Sequence, residues 1–347
     1  MSGQQSRWRL WHVRDQVYLL TVALLAMVVT AVAAVQVGPG GLGGMTGWPS
    51  QTRPAFPAST RFYVDPENPA ARWAREHPHD RRAAVIRNRI AAQPQAAWFT
   101  HPDPGMVRRQ MRTVVHAARA RAMVPVLVAY AIPQRDCEEK STGGTGDLAA
   151  YRSWIDSFAR GLGRGTAVVI LEPDALALMG CLDPRQRSDR YKALRFAART
   201  LDRHAPGARV YYDAGNSGWH PARTMAERLS RAGFTEYGDG IALNVSNFNA
   251  TRDEVRYGLS VLQKAGSGEE RGSRLGVVID TSRNGAGPTR DRRFCDPPGR
   301  ELGTPPTADT GIDRIDAYLW VKHPGQADGC IAEAGTFVPG YAYRLAD

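Results

Sequence analysis

The sequence predicts an α/β fold built on a parallel sheet, with one apolar helix ahead of it. Three observations predict this. Seven short, near-continuously apolar runs lie between residues 96 and 322, as strands buried on both faces require. Helical patterns separate most of them, and parallel neighbours need such crossovers. Acidic residues follow the second, third, fourth, sixth and seventh runs, at the strand ends where parallel folds carry their sites. Seven strand units in one domain suggest a barrel or a doubly wound sheet.

The N-terminal element comes first. Arg7, Arg9 and Arg14 precede the run VYLLTVALLAMVVTAVAAV from Val17 to Val35, broken only by Thr21 and Thr30. A helix over that run rises about 28 Å, close to the hydrocarbon thickness of a bilayer. Cationic flanks stay on the cytoplasmic side, so everything after Val35 is expected to face outward. The small residues AVAAV would also suit a signal peptidase, although the run is long for a secretory signal and favours an uncleaved anchor. A buried core helix would instead carry polar residues along one face. The expected organisation is a basic cytoplasmic end (1–16), a transmembrane signal-anchor or signal peptide (17–35), a Gly- and Pro-rich linker (36–60) and one domain (61–347).

Within that domain the runs are AAWF (96–99), VPVLVAY (124–130), AVVILEP (167–173), RVYYDAG (209–215), GIALNVS (240–246), LGVVID (275–280) and DAYLWVK (316–322). Helical patterns cover 147–161, 187–203 and 221–231. With 347 residues, 43% apolar and 23% charged, the composition is that of an ordinary soluble domain, not of a disordered or collagenous chain. The net charge of +11 comes mainly from arginines spread along the whole length. No basic run interleaved with aromatics and no helix-turn-helix pattern appears, so nucleic acid is not an expected partner.

Asp136, Asp174, Asp213, Asp280 and Asp328 are the acids at the strand ends. Any one of them could be a helix N-cap, but five at the same edge call for another explanation. Converging carboxylates repel, so at least one is expected to stay protonated near neutral pH. One acid for a leaving oxygen and one partner for water are what glycosidic cleavage needs. The four cysteines, Cys137, Cys181, Cys295 and Cys330, all follow the apolar run and suggest two disulfides in any of three pairings. No CxxC or HExxH spacing occurs, and no metal or cofactor is expected.

The blocks AIPQRDC (131–137), VILEPDALA (169–177), YYDAGNSGW (211–219), ALNVSNF (242–248), VIDTSRNG (278–285) and WVKHPGQADGC (320–330) resemble the signatures of glycoside hydrolase family 6. FYVDPENPA and IAAQPQAAWF resemble that family's opening, so the likeness covers 61–347 in order. The resemblance implies a distorted seven-stranded parallel β/α barrel, similar to a TIM barrel, that hydrolyses β-1,4-glucosidic bonds with inversion. It implies Asp174 as general acid, Asp136 as the carboxylate that keeps it protonated, and Asp328 as the base, acting directly or through a chain of waters. Tyr130 is implied to distort the sugar ring, Ser141 to position water from a loop, and Asp213 and Lys322 to line the cleft. The cysteine pairing it implies is Cys137 with Cys181 and Cys295 with Cys330.

Aromatic faces stack on sugar rings, which makes Trp98, Trp219 and Trp320 candidate platforms, with core packing as the alternative for each. Asn247 and Arg283 fit either hydroxyl donors or loop braces. Three positions depart from the resemblance: Asn216 replaces a usual His, Phe294 a Trp and Gln326 a Glu. All three are sugar-contacting positions in the family, so weaker glucan binding is expected. Connections near Asp174 and Cys295 read as short, implying an open cleft and an endoglucanase over a chain-end cellobiohydrolase. A short stretch follows Cys330, so no carbohydrate-binding domain is expected there and short, soluble or cell-proximal glucans are the expected substrates. The alternatives are a wall-anchored glucan-binding protein with weak catalysis and an adaptor for anionic wall polymers. The expected partners are β-glucan and, through the N-terminal helix, a membrane; a monomer is expected.

Overall fold

A computed structural model describes residues 55–138, 143–266 and 275–347. The apolar run 17–35 and Ser141 lie outside the described residues. Among the described residues no helix is long and apolar enough to cross a membrane.

Seven strands follow the expected runs closely: β1 (Ala97–Phe99), β2 (Val126–Ala129), β3 (Ala167–Leu171), β4 (Ala208–Asp213), β5 (Gly240–Leu243), β6 (Gly276–Asp280) and β7 (Ile315–Leu319). They pair in sequence order and every ladder is parallel. Side chains alternate across the curled sheet. Val126, Val128, Val168, Ile170, Tyr211, Ala242, Val278, Ala317 and Leu319 pack inside it with Phe56 and Phe62. Their neighbours Leu127, Ala129, Val169, Leu171, Tyr212, Ile241, Leu243, Val277 and Ile279 pack outward against helices. This alternation is why both faces of each strand read as apolar.

The two edges, β1 and β7, meet through isolated contacts. Ala96 N–H donates to Trp320 O at 3.0 Å, and the Trp98 indole donates to Val321 O at 2.8 Å. The seven-stranded barrel is thus curled, with no β1–β7 ladder among the described residues.

The outer helices have local causes. α1 (Pro69–Glu76) and the short α2 (Ala83–Ile86) precede the sheet. α3 (Pro104–Arg119) starts at Asp103, whose carboxylate accepts Met106 N–H, and buries Val107, Met111, Val115 and Ala118. α4 (Leu148–Leu162) starts on Asp147 and stops at Gly163, whose φ of 65° suits a residue without Cβ. α5 (Pro184–His204) opens with a reciprocal capping box between Asp183 and Gln186. α6 (Ala222–Arg231), α7 (Phe234–Tyr237), α8 (Thr251–Ala265) and α9 (Pro339–Ala346) follow along the chain. The side-chain caps are therefore Asn68, Asp103, Asp147 and Asp183, and among the described helices none of the five strand-end aspartates is an N-cap.

Candidate active site

Beyond the C-terminal ends of β2, β3 and β5 the backbone departs from ordinary regions. Gln134, Asp136, Cys137, Glu172, Asp174, Asn244 and Ser246 all have φ between 44° and 66°. A left-handed conformation at a non-glycine residue costs about 1–2 kcal/mol and persists only where the surroundings impose it. Such strain concentrates at functional sites.

Three carboxylates meet at this edge. Asp174, half-buried, donates its backbone N–H to Asp213 Oδ1 at 3.0 Å. The same oxygen accepts Gly215 N–H at 3.1 Å, while Asp213 Oδ2 is buried with no hydrogen-bond partner among the described residues. Burial, then the charge of Asp136, pushes the Asp174 carboxyl up to about 7. Burial and the neighbouring Asp174 hold Asp213 well above the usual carboxylate range. With no cation among the causes acting on Asp174, a proton is the cheapest way to neutralise the cluster. Tyr130, buried beneath, is held in its phenol form by burial and by Asp174 and Asp136. Trp98 meets the Tyr130 ring edge-on at 5.4 Å.

The carboxylate beyond β7 is set the other way. Asp328 accepts from Arg283 Nη1 at 2.8 Å and pairs with Lys322 Nζ at 2.9 Å. Burial would raise its pKa, but the two cations outweigh burial and hold it below the usual range. Asp296 returns the contact: its Oδ1 accepts Asp328 N–H at 2.7 Å, and its Oδ2 accepts the N–H groups of Cys330 and Ile331. The Cys295–Cys330 disulfide lies alongside, and Cys137–Cys181 joins the Asp136 loop to the segment after Asp174. Both pairings are those the resemblance implied.

The remaining candidates divide into exposed and buried. Phe294 is 60% exposed and Trp219 37% exposed, so both offer a face to a ligand. Asn216 is buried, and its Oδ1 accepts Gly218 N–H, bracing the turn that presents Trp219. Asn247 is half-buried and donates to Val245 O at 3.1 Å. Gln326 is half-buried and pairs through its backbone with Phe337.

Four of the candidates take buried, structural places. Trp320 is only 2% exposed and its indole donates to Thr304 O, so it is a core residue and not a platform. Asp213, 2% exposed, lies beneath Asp174 and does not line an open cleft. Lys322 pairs with Asp328 at the site, and of the two alternatives for Arg283 the structure favours the loop brace, fully buried over Phe248. Asp280 is a structural hub: its two oxygens accept the N–H groups of Ser246, Ser282, Val321 and Lys322, tying together the loops after β5, β6 and β7.

Sequence reasoning missed several residues that hold these loops. Glu172 Oε2 accepts Ala131 N–H and Ile132 N–H, and Glu254 accepts Ser217 N–H beneath the Trp219 turn. Burial pushes both carboxyls up to about 7. Glu172 sits in the quoted EPD block, so its position carried a signal; Glu254, Asp296 and Arg190 carried none.

A family model for glycosyl hydrolases family 6 matches residues 57–345. Endoglucanase A of Thermobispora bispora is 46% identical over 318 residues, 91% of this chain and 68% of that protein. Endoglucanase 1 of Streptomyces halstedii is 40% identical over 82% of this chain and 88% of its own length. Among solved structures, the endoglucanase Cel6 from Mycobacterium tuberculosis, in complex with a methyl-cellobiosyl thio-cellobioside, aligns with a TM-score of 0.76 and 42% identity. That alignment covers 83% of this chain and 97% of the other. With the family match running from the segment before β1 to the final helix, the chain belongs to glycosyl hydrolases family 6.

Proposed function

We propose that the protein is an endoglucanase that hydrolyses internal β-1,4 bonds of β-glucans with inversion, Asp174 acting as general acid. The observation that carries this reading is the cluster of carboxylates at the strand ends, where Asp174 N–H bonds Asp213 and where burial, then the charge of Asp136, pushes the Asp174 carboxyl up to about 7. A carboxyl that holds its proton to about pH 7 can donate it to a glycosidic oxygen under ordinary conditions. Asp136 keeps that proton in place by its charge and stabilises the positive charge that develops on the sugar ring. Tyr130, a phenol at all working pH, presses from below on the ring ahead of the scissile bond. Trp98, Trp219 and Phe294 provide stacking faces, with Asn247 and Gln326 in reach of hydroxyls.

The base assignment follows from charge. Asp328 is ionised but weakly basic, because Arg283 and Lys322 already share its charge. It therefore suits orienting a water, or receiving a proton through a second water, better than abstracting one unaided. Ser141 would act from its loop on that water. Inversion places acid and base about 6.5–9.5 Å apart, with room for the water.

The two disulfides support an oxidising compartment outside the cytoplasm. The apolar run 17–35 would deliver the domain there, as a retained anchor or as a cleaved signal. The test is hydrolysis of carboxymethyl cellulose and mixed-linkage glucan, followed by viscosity and by reducing ends. Viscosity falling ahead of reducing ends, and lost in Asp174→Ala, is the expected result. Binding without hydrolysis, or reducing ends released at constant viscosity, would refute the reading.

A further inference from the structure

Arg190, on the inner face of α5, is only 4% exposed, and among the described residues it makes no salt bridge. Its hydrogen bonds go to backbone instead. Nη1 donates to Ala175 O at 3.1 Å, one residue beyond Asp174. Nη2 donates to Pro133 O and Gln134 O, both at 3.0 Å, just ahead of Asp136. One rigid fork therefore spans the two loops that carry the carboxylates, a geometry that a lysine ammonium does not reproduce.

Those loops need such a link. Gln134 and Asp136 on one, and Glu172 and Asp174 on the other, all have left-handed backbone. Glu172 makes a complementary tie, accepting Ala131 N–H and Ile132 N–H at 2.9 and 3.0 Å and the Tyr151 hydroxyl at 3.0 Å. We propose that Arg190 is a positioning residue for the glycosidic reaction, fixing the separation between the loop of Asp136 and the loop of Asp174. The inference rests on Asp174 being the general acid.

The groups facing Asp174 are Tyr130 and Asp136 from the loop after β2 and Asp213 at the end of β4, while Arg135 and Glu172 face Tyr130. Tyr151 on α4 faces Glu172. Of these, Asp136 is the neighbour whose charge keeps the acid protonated. Releasing the Arg190 fork lets Asp136 recede, and the acid then loses its proton at lower pH.

The test is the pH profile of kcat for the full chain, with Arg190→Met, Arg190→Lys and Asp174→Ala beside it. The substrates are mixed-linkage glucan and dinitrophenyl β-cellotrioside, whose leaving group needs no proton. In Arg190→Met the alkaline limb is expected to move from about pH 7 to about pH 6 or below. The protonated fraction at pH 7 then drops from about one half to about one eleventh, a loss of about fivefold in kcat, with KM kept within about twofold. Arg190→Lys falls between, and both losses shrink on the dinitrophenyl substrate. A folded Arg190→Met whose limb stays in place, or whose loss is equal at every pH and on both substrates, overturns the inference. If Arg190→Met does not fold, an unmoved limb in Arg190→Lys overturns it. Glucan hydrolysis retained by Asp174→Ala would instead remove the acid reading itself, whatever the Arg190 variants do.

Discussion

Replacing Asp174 by Asn should make the protein more stable at alkaline pH while it abolishes glucan hydrolysis. The Asp174 carboxyl is raised from 3.8 to about 7 by burial and by Asp136. Between those two values the folded state binds a proton that the unfolded state releases, so stability falls as pH climbs. The contribution is fully present below about pH 4 and is lost as pH rises through 7. About three units at 1.36 kcal/mol each set an upper bound of about 4 kcal/mol. Asp136 and Asp213 share the same charge cluster, so the realised gain is smaller. At about 2 °C per kcal/mol for a domain of this size, Asp174→Asn should melt about 3–8 °C above wild type at pH 8. The gap should close by pH 4, where both proteins are neutral at this position. Thermal unfolding by circular dichroism across that range measures it. A variant that tracks wild type at every pH, or melts below it at pH 8, would refute the claim that burial strains the ionised acid.

Asp328→Asn leaves the buried Arg283 without its counter-charge, so it should cost about 3–5 kcal/mol at pH 7. The folded pKa of Asp328 is lowered, so its contribution is present above its unfolded value and lost as pH falls; acid unfolding curves of variant and wild type should converge at low pH. Joint replacement of Cys295 and Cys330 by Ser opens a link spanning 35 residues, and loop entropy puts the loss at about 4 kcal/mol, read as a drop in Tm that dithiothreitol reproduces in wild type. Phe294→Trp enlarges an exposed stacking face by one ring and should lower KM on mixed-linkage glucan about two- to fivefold at unchanged kcat; an unchanged KM would place Phe294 outside the glucan path.

The strands were legible because both faces of each are buried, so every run is apolar along its length. The strand-end carboxylates were legible because no other feature of a parallel sheet accounts for five acids at one edge. Their division of labour was not. Asp280 and Asp174 look alike in sequence, yet one accepts four backbone N–H groups and the other keeps a proton. Trp320 stands in the same block as Lys322 and Gln326, and nothing in its neighbours marks that the ring turns inward. Arg190, Glu254 and Asp296 bond backbone groups some 15 to 57 residues away, and contacts of that kind leave no spacing pattern.

The two carboxylate clusters at the strand ends differ in one respect that bears on the proposed chemistry. Asp136, Asp174 and Asp213 converge, and among the described residues no cation pairs with Asp174; burial and Asp136 push its carboxyl up to about 7. Asp328 faces Arg283 and Lys322, so it is ionised well below that. Environments that drive two carboxyls in opposite directions support the proposed division into a proton donor and an anion. The working window then lies between the two: the lower limit is set by the anion, the upper limit by the acid at about 7. The loops carrying these groups are strained, and a strained loop relaxes unless it is held. That is why Glu172, Arg190, Asp296 and the two disulfides cluster at the same edge: each cross-links one catalytic loop to the next, and the opposed proton affinities last only as long as those separations do.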